Sequence, residues 1–191
     1  MILLFAVASG FAFGLGWARW LGQPYQPPAL KHLWLVFVAF VPQFIAIYFP
    51  NTRTQISDEW ASGILVASLI GLLGFAWLNR NLLGMKILFA GAVLNFTVIA
   101  TNRGFMPISP QTASHLVSAE VLSEISLGTR FGTKDILLLP EDTRFEILAD
   151  RFLTPTWLNY PVAFSLGDIF LAIGIFWLLA YQKNNKERVS S

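Results

Sequence analysis

Two apolar runs decide the fold: WASGILVASLIGLLGFAWL (60–78) and LLGMKILFAGAVLNFTVIAT (82–101), joined by Asn79-Arg80-Asn81. The first has no charged residue and the second only Lys86. A bilayer core takes roughly 17–25 helical residues to cross. Backbone groups in hydrocarbon must also be satisfied within their own segment. The pair therefore reads as a membrane hairpin, Trp60–Leu78 and Leu82–Thr101.

Working outward, three further segments have the same character: Met1–Trp17, Leu33–Phe49 and Pro161–Tyr181. The composition agrees. Of 191 residues 55% are hydrophobic and 13% charged, about half the charge of a soluble domain. That shortage argues against disorder, a nucleic-acid reader and an ordinary cytosolic enzyme. The chain has no cysteine, and its two histidines, His32 and His115, lie too far apart for metal-ligand spacing, so no metal and no cofactor is expected.

The expected fold is an all-α integral membrane protein, a bundle of five transmembrane helices. Four lie within residues 1–101, a mixed external segment with short helices fills 102–160, the fifth helix is 161–181, and 182–191 is a cytoplasmic tail. Orientation follows from the basic residues. Arg19, Lys31, Arg80, Lys86, Lys183, Lys186 and Arg188 face only Glu187 on one side. The 50–59 and 102–160 connections carry six basic against nine acidic residues. The N-terminus is thus expected outside and the C-terminus in the cytoplasm of a multi-pass cell-membrane protein. Trp17, Trp20, Trp34, Trp77 and Trp177 fall near inner ends, and Trp60 and Trp157 near outer ends, as interfacial belts require. The first run has no basic residue before it and Arg19 after it, so it reads as a retained anchor. Gly10 with Gly14, Ala67 with Gly71, and Gly167 with Gly174 permit close helix approach and predict a compact bundle.

In the external segment Ser109-Pro110 signals a helix start. Leu116, Val117, Val121, Leu122 and Ile125 continue at helical spacing until Gly128, which predicts one amphipathic helix, either packed on the bundle or lying on the outer membrane surface. Asp135–Leu139 reads as extended, and Asp142 as the cap of a further helical turn carrying Phe145, Ile147, Leu148 and Phe152.

Counted from the outer span ends, Gln43, Asn95 and Asp168 each lie seven residues in, roughly 10 Å deep at helical rise. Ser9 and Ser68 fall at similar depth. An acid at that level faces the protein or a water-filled cavity, so its expected partner is Asn95 or Gln43. The layer is either a polar pocket open to the outside or a set of interhelical hydrogen bonds. Asn102, Arg103, Asp150 and Arg151 stand at the rim, where Arg103 is expected to neutralise Asp150.

The motifs Asn102-Arg103-Gly104-Phe105-Met106-Pro107, Leu148-Ala149-Asp150-Arg151-Phe152 and Phe164-Ser165-Leu166-Gly167-Asp168 resemble a family of uncharacterised multi-span bacterial membrane proteins. That resemblance implies no particular activity. More distantly, Asp150-Arg151 and Phe164 with Asp168 resemble the two motifs of signal peptidase II, Gly-Asn-x-x-Asp-Arg and Phe-Asn-x-Ala-Asp. Glu146-Ile147 stands where the first motif has Gly-Asn, and Ser165 replaces the second Asn. This resemblance implies an aspartyl peptidase in which Asp150 and Asp168 share a proton and activate water. The bland alternative pairs Asp150 with an arginine and Asp168 with Asn95. The favoured expectation is a non-catalytic accessory subunit of a membrane complex, or a small-ligand or lipid binder. Gln43, Asn95, Asn102 and Arg103 would be its binding residues. The bilayer and other membrane subunits are the expected partners, and no nucleic acid is expected.

Overall fold

The computed structural model describes residues 2–49, 55–155 and 160–181. Five apolar helices dominate: α1 (Ile2–Trp20), α2 (Trp34–Tyr48), α3 (Asp58–Leu78), α4 (Leu83–Thr101) and α7 (Leu166–Ala180). The short α5 (Pro110–Ala113) and α6 (Ala119–Ser123) lie between α4 and α7. Among the described residues α1, α3 and α4 are long and apolar enough to cross a membrane, whereas α2 and α7 are apolar but only 15 residues each.

The shortness of α7 corrects the expected start at Pro161. Ala163–Phe164 (β5) pairs antiparallel with Phe152–Leu153 (β4), so the chain arrives extended and turns helical only after Ser165. The tail 182–191 and Trp157 lie outside the described residues.

Packing runs along a row rather than around a centre. α2 packs on α3, α3 on α4, α4 on α7, and α7 on α1; among the described residues the row does not close on itself through α1 and α2. The expected compact bundle is therefore an open palisade. Glycines set its tightest seam. A Cβ on Gly91 would stand 2.7 Å from the Gly167 carbonyl oxygen, and one on Gly84 2.8 Å from that of Gly174. In reverse, a Cβ on Gly167 would stand 2.9 Å from the Gly91 carbonyl oxygen and one on Gly174 2.8 Å from that of Gly84. Seven residues separate the glycines on each helix, two turns, so the pairs repeat on one face of an antiparallel contact. Gly10 and Gly14 of α1 likewise lie against Phe176 and Leu179.

At one end of the palisade sits a small cap, and its strands correct the all-α expectation. Met106–Ile108 (β1) runs parallel to Asp135–Leu137 (β3), which pairs antiparallel with Arg130–Phe131 (β2). Asn102, Arg103 and Gly104 reverse the chain out of α4. Arg103 and Gly104 have positive φ (58° and 80°), and Gly104 N–H closes the helix on the Ile99 carbonyl at 3.0 Å. Glycine is needed there because a Cβ would stand 2.6 Å from that of Ser62.

The expected helix over 109–128 is two short ones. Ser109 caps α5 by accepting from Thr112 N–H, and a turn then follows before Ser118 caps α6. The helical spacing of apolar residues was real, but it serves a sheet. Leu116, Val117, Leu122 and Ile125 pack on Ile108, Ala113, Phe131 and Leu137, and two short pieces follow that curved surface better than one straight rod. Residues 140–142 and 146–148 are single 3₁₀ turns in place of a further helix, with Phe145 left-handed between them. A second core joins cap to helices: Ala46, Ile47, Ala61, Leu65, Val98 and Ile99 meet Phe105, Met106, Ile136 and Leu138.

Candidate functional site

The polar residues expected at one depth separate into two clusters. Between α2 and α3, Ser68 Oγ donates to Gln43 Oε1 at 2.6 Å. Ser9 stays within α1, donating to the Phe5 carbonyl at 2.7 Å. Between α4 and α7 a closed set forms around the start of α7. Ser165 Oγ accepts from Asp168 N–H at 3.1 Å, and Asp168 Oδ2 accepts from Ser165 N–H at 3.0 Å. This reciprocal capping box satisfies donors that a helix N-terminus otherwise leaves open. Asn95 completes it from α4. Its Nδ2 donates to Asp168 Oδ1 at 2.9 Å and its Oδ1 accepts from Ser165 Oγ at 2.9 Å.

The expected Asn95–Asp168 pairing is present, but Asp168 occupies the first turn of α7 and not a position two turns into the helix. A carboxylate there is favoured by the helix dipole. Ser165 is fully buried. Ser165→Ala removes the cap and strands Asn95 Oδ1, so a loss of about 1–2 kcal/mol in detergent unfolding is expected. A melting temperature equal to the wild type would refute the role.

Asp150 follows a different logic. Its backbone joins the edge of β1, donating from N–H to the Pro107 carbonyl at 3.1 Å, while Lys134 O accepts from Met106 N–H on the other side. The two side chains meet: Lys134 Nζ lies 2.6 Å from Asp150 Oδ2 and 2.9 Å from Asp135 Oδ1. This corrects the expected Arg103–Asp150 pairing. Arg103 instead reaches the Gly128 carbonyl at 3.5 Å, and Arg151 pairs with Glu146 at 2.8 Å. An arginine at the rim was the wrong choice because β3 delivers Lys134 directly beside Asp150.

Asp150 is 2% exposed, and its Oδ1 has no hydrogen-bond partner among the described residues. Burial pushes its carboxyl up to about 7. Lys134 opposes that rise, while the charges of Asp135 and Asp168 add to it. For Lys134, burial works against the charge, yet Asp135, Asp150 and Asp168 together hold it well above the ordinary lysine value. Its side chain keeps about a third of its surface (34%) exposed even though its ammonium is ringed by carboxylates.

Asp150 and Asp168 therefore sense one another's charge but share no hydrogen bond among the described residues. Asp168 uses both oxygens within the capping box, and Asp150 is tied to Lys134. A peptidase dyad needs both carboxylates turned towards one water.

The remaining rim residues frame a cavity of about 570 Å³ at the cap end of α4. Asn102 clamps its wall. Nδ2 donates to the Val98 and Arg144 carbonyls at 2.7 and 2.8 Å, and Oδ1 accepts from Arg144 N–H at 3.0 Å. Arg103, Gly128, Asp142 and Arg144 also line the cavity. Lys134, Ser165 and Arg144 were not among the residues expected from sequence. Ser165 had a local signal, the Ser-x-x-Asp spacing before an apolar run; Lys134 and Arg144 had none.

The comparisons with known proteins assign no chemistry to the chain. An uncharacterized protein of Thermotoga maritima is 28% identical over 148 residues, which is 76% of this chain and 72% of that protein. No solved structure matches the chain. Residues 28–180, from the loop before α2 to the end of α7, match a family of unknown function, DUF5317, and the chain belongs to that family.

Proposed function

We propose that the chain is a non-catalytic membrane protein that binds a small ligand, a lipid or a partner subunit at its outer face. In this reading all five apolar helices span a bacterial cell membrane, with the N-terminus outside, the C-terminus in the cytoplasm and the cap outside. α2 and α7 cross as short spans, which a bilayer accommodates by local thinning. At the start of α7 the Ser165–Asp168–Asn95 set supplies the donors and acceptors that hydrocarbon does not. The charge asymmetry of the connections and the alternation of helix directions support this orientation.

The observation that carries the reading is that the two aspartates are engaged by separate partners, Asp168 by Asn95 and Ser165 and Asp150 by Lys134. Both act as structural fasteners, and the guanidinium groups of Arg103 and Arg144 face the cavity beside Asn102. Affinity purification from native membranes followed by mass spectrometry tests it. A small molecule, lipid or defined membrane subunit is expected to accompany the protein, and a protein that always runs alone overturns the reading.

The peptidase alternative draws on the resemblance of Asp150-Arg151 and Asp168 to signal peptidase II and on the neutral-range carboxyl of Asp150. The two differ in outcome. On the binding reading, Asp150→Asn leaves the processing of exported proteins unchanged on gels of the cell envelope. Accumulation of an uncleaved precursor at normal levels of the variant would establish the peptidase instead.

A further inference from the structure

The cavity at the cap end of α4 has a definite chemistry. Arg103 and Arg144 both line it, both are exposed, and neither guanidinium has a carboxylate partner within ion-pair distance among the described residues. Arg103 reaches only the Gly128 carbonyl, at the limit of a hydrogen bond. The acid on the wall, Asp142, pairs with neither arginine, and the wall's charged side chains sum to +1 (Arg103 and Arg144 against Asp142).

The backbones beneath both arginines are held. Asn102 binds the Arg144 backbone through two hydrogen bonds, and Arg103 sits left-handed (φ 58°), a conformation uncommon for a residue with a Cβ. Such conformations persist where the surroundings over-determine them, and they gather at binding sites. A second cavity of about 270 Å³ shares Arg103 and Gly128 and is lined by Arg130, whose buried Nε has no partner among the described residues. Arg130 itself is anchored to Asp58 at 3.3 Å, so that cavity holds an oriented donor rather than a free cation.

We infer that Arg103 and Arg144 form a phosphate-binding site, resting on the binding role proposed above and naming its ligand class. Two guanidinium groups lining one cavity from held backbones can each meet phosphate oxygens through charge-assisted hydrogen bonds. The site lies at the end of an apolar helix, which the membrane reading above puts at the level of lipid headgroups, so the phosphate comes either from a phospholipid or from a soluble phosphate compound.

The test uses the full chain in detergent and the double variant Arg103→Gln/Arg144→Gln. Both side chains are exposed and Asn102 bonds only the Arg144 backbone, so the variant is expected to fold, as a monodisperse peak and an unchanged melt will show. Native mass spectrometry compares phosphatidylglycerol with diacylglycerol of the same acyl chains. Calorimetry follows inorganic phosphate against chloride at equal ionic strength. Arg151→Gln removes one positive charge outside the cavity, and each single variant, Arg103→Gln and Arg144→Gln, is its charge-matched comparison. Preference for phosphatidylglycerol that weakens about tenfold or more in the double variant, but not in Arg151→Gln, identifies a lipid phosphate. Binding of inorganic phosphate with the same dependence, and no lipid preference, identifies a soluble one. Binding of neither, or equal losses in Arg151→Gln, overturns the site. If another molecule still accompanies the protein from membranes, only the phosphate assignment has failed; if nothing does, the binding role has failed with it.

Discussion

Gly91→Val is expected to abolish the folded protein, recovered as aggregate in size-exclusion profiles where the wild type is monodisperse. The reason lies in what surrounds Gly91. An added Cβ would meet the Gly167 carbonyl oxygen at 2.7 Å, the Leu171 amide nitrogen at 2.8 Å and Phe170 Cβ at 2.9 Å. Backbone atoms cannot swing aside as the end of a side chain can. The helices would have to separate, and that separation would also pull Gly84 from Gly174 and Asn95 from Asp168. Overpacking alone costs about 1–3 kcal/mol. The loss of the capping set adds about 1–2 kcal/mol more. Gly63→Val and Gly74→Val provide the contrast, because a Cβ at either position meets nothing within 4 Å. Those variants are expected to keep wild-type profiles. Equal behaviour of all three would mean that the seam between α4 and α7 is not glycine-dependent.

Lys134→Met is expected to be the other severe change, with a cost that depends on pH. It leaves Asp150 buried among Asp135 and Asp168 without its cation. Breaking one side of a buried ion pair costs about 3–5 kcal/mol. Asp150 can escape by taking a proton, so the variant should be far less stable at pH 8 than at pH 5. Lys134→Met/Asp150→Asn should recover most of the loss at both. In the wild type the sign is the same but the slope gentler. The Asp150 carboxyl titrates near 7 in the folded chain, against an ordinary value of 3.8. The folded state thus binds the proton more tightly, and the stability this provides is complete below about pH 4 and lost as pH rises through about 7. Lys134, held above its ordinary value, stays charged throughout that window. Asp150→Asn should flatten the wild-type slope between pH 5 and 8 in thermal melts; an unchanged slope would show that another group carries it.

Both predictions rest on features with unequal visibility in the chain. The glycines were visible as small-residue spacings, and Gly167 with Gly174 stood out at two turns. Their partners Gly84 and Gly91 gained meaning only once α4 and α7 lay side by side. Lys134 illustrates the opposite case. Sixteen residues separate it from Asp150, and nothing local couples them. They meet because β1 is flanked by residue 134 on one side and residue 150 on the other, a consequence of strands only two or three residues long.

Asp168 shows how a correct partner can come from a faulty depth. Counting helical rise from Pro161 put it level with Asn95, and the two are indeed bonded. The intervening chain is partly extended, so the residue belongs to the first turn of α7, where it completes the capping box of Ser165. Periodicity alone could not reveal this, because Pro-Val-Ala-Phe-Ser (161–165) is as apolar as a helix turn and as fit for a strand. Pairing with Phe152–Leu153 makes the choice.

What the sequence determined by itself is therefore the apolar helices, the cap at Ser109, and the likeness to a family without an assigned activity. These depend on composition and on neighbours within a few residues, where hydrophobic burial and capping act locally. The open row of helices, the small parallel strand pair, the Lys134–Asp150 fastener and the Arg103–Arg144 cavity were decided only by the tertiary structure. Each needs residues distant in the chain to become neighbours, and burial and charge at such a contact come from the partner surface, not from the residue's own surroundings in sequence.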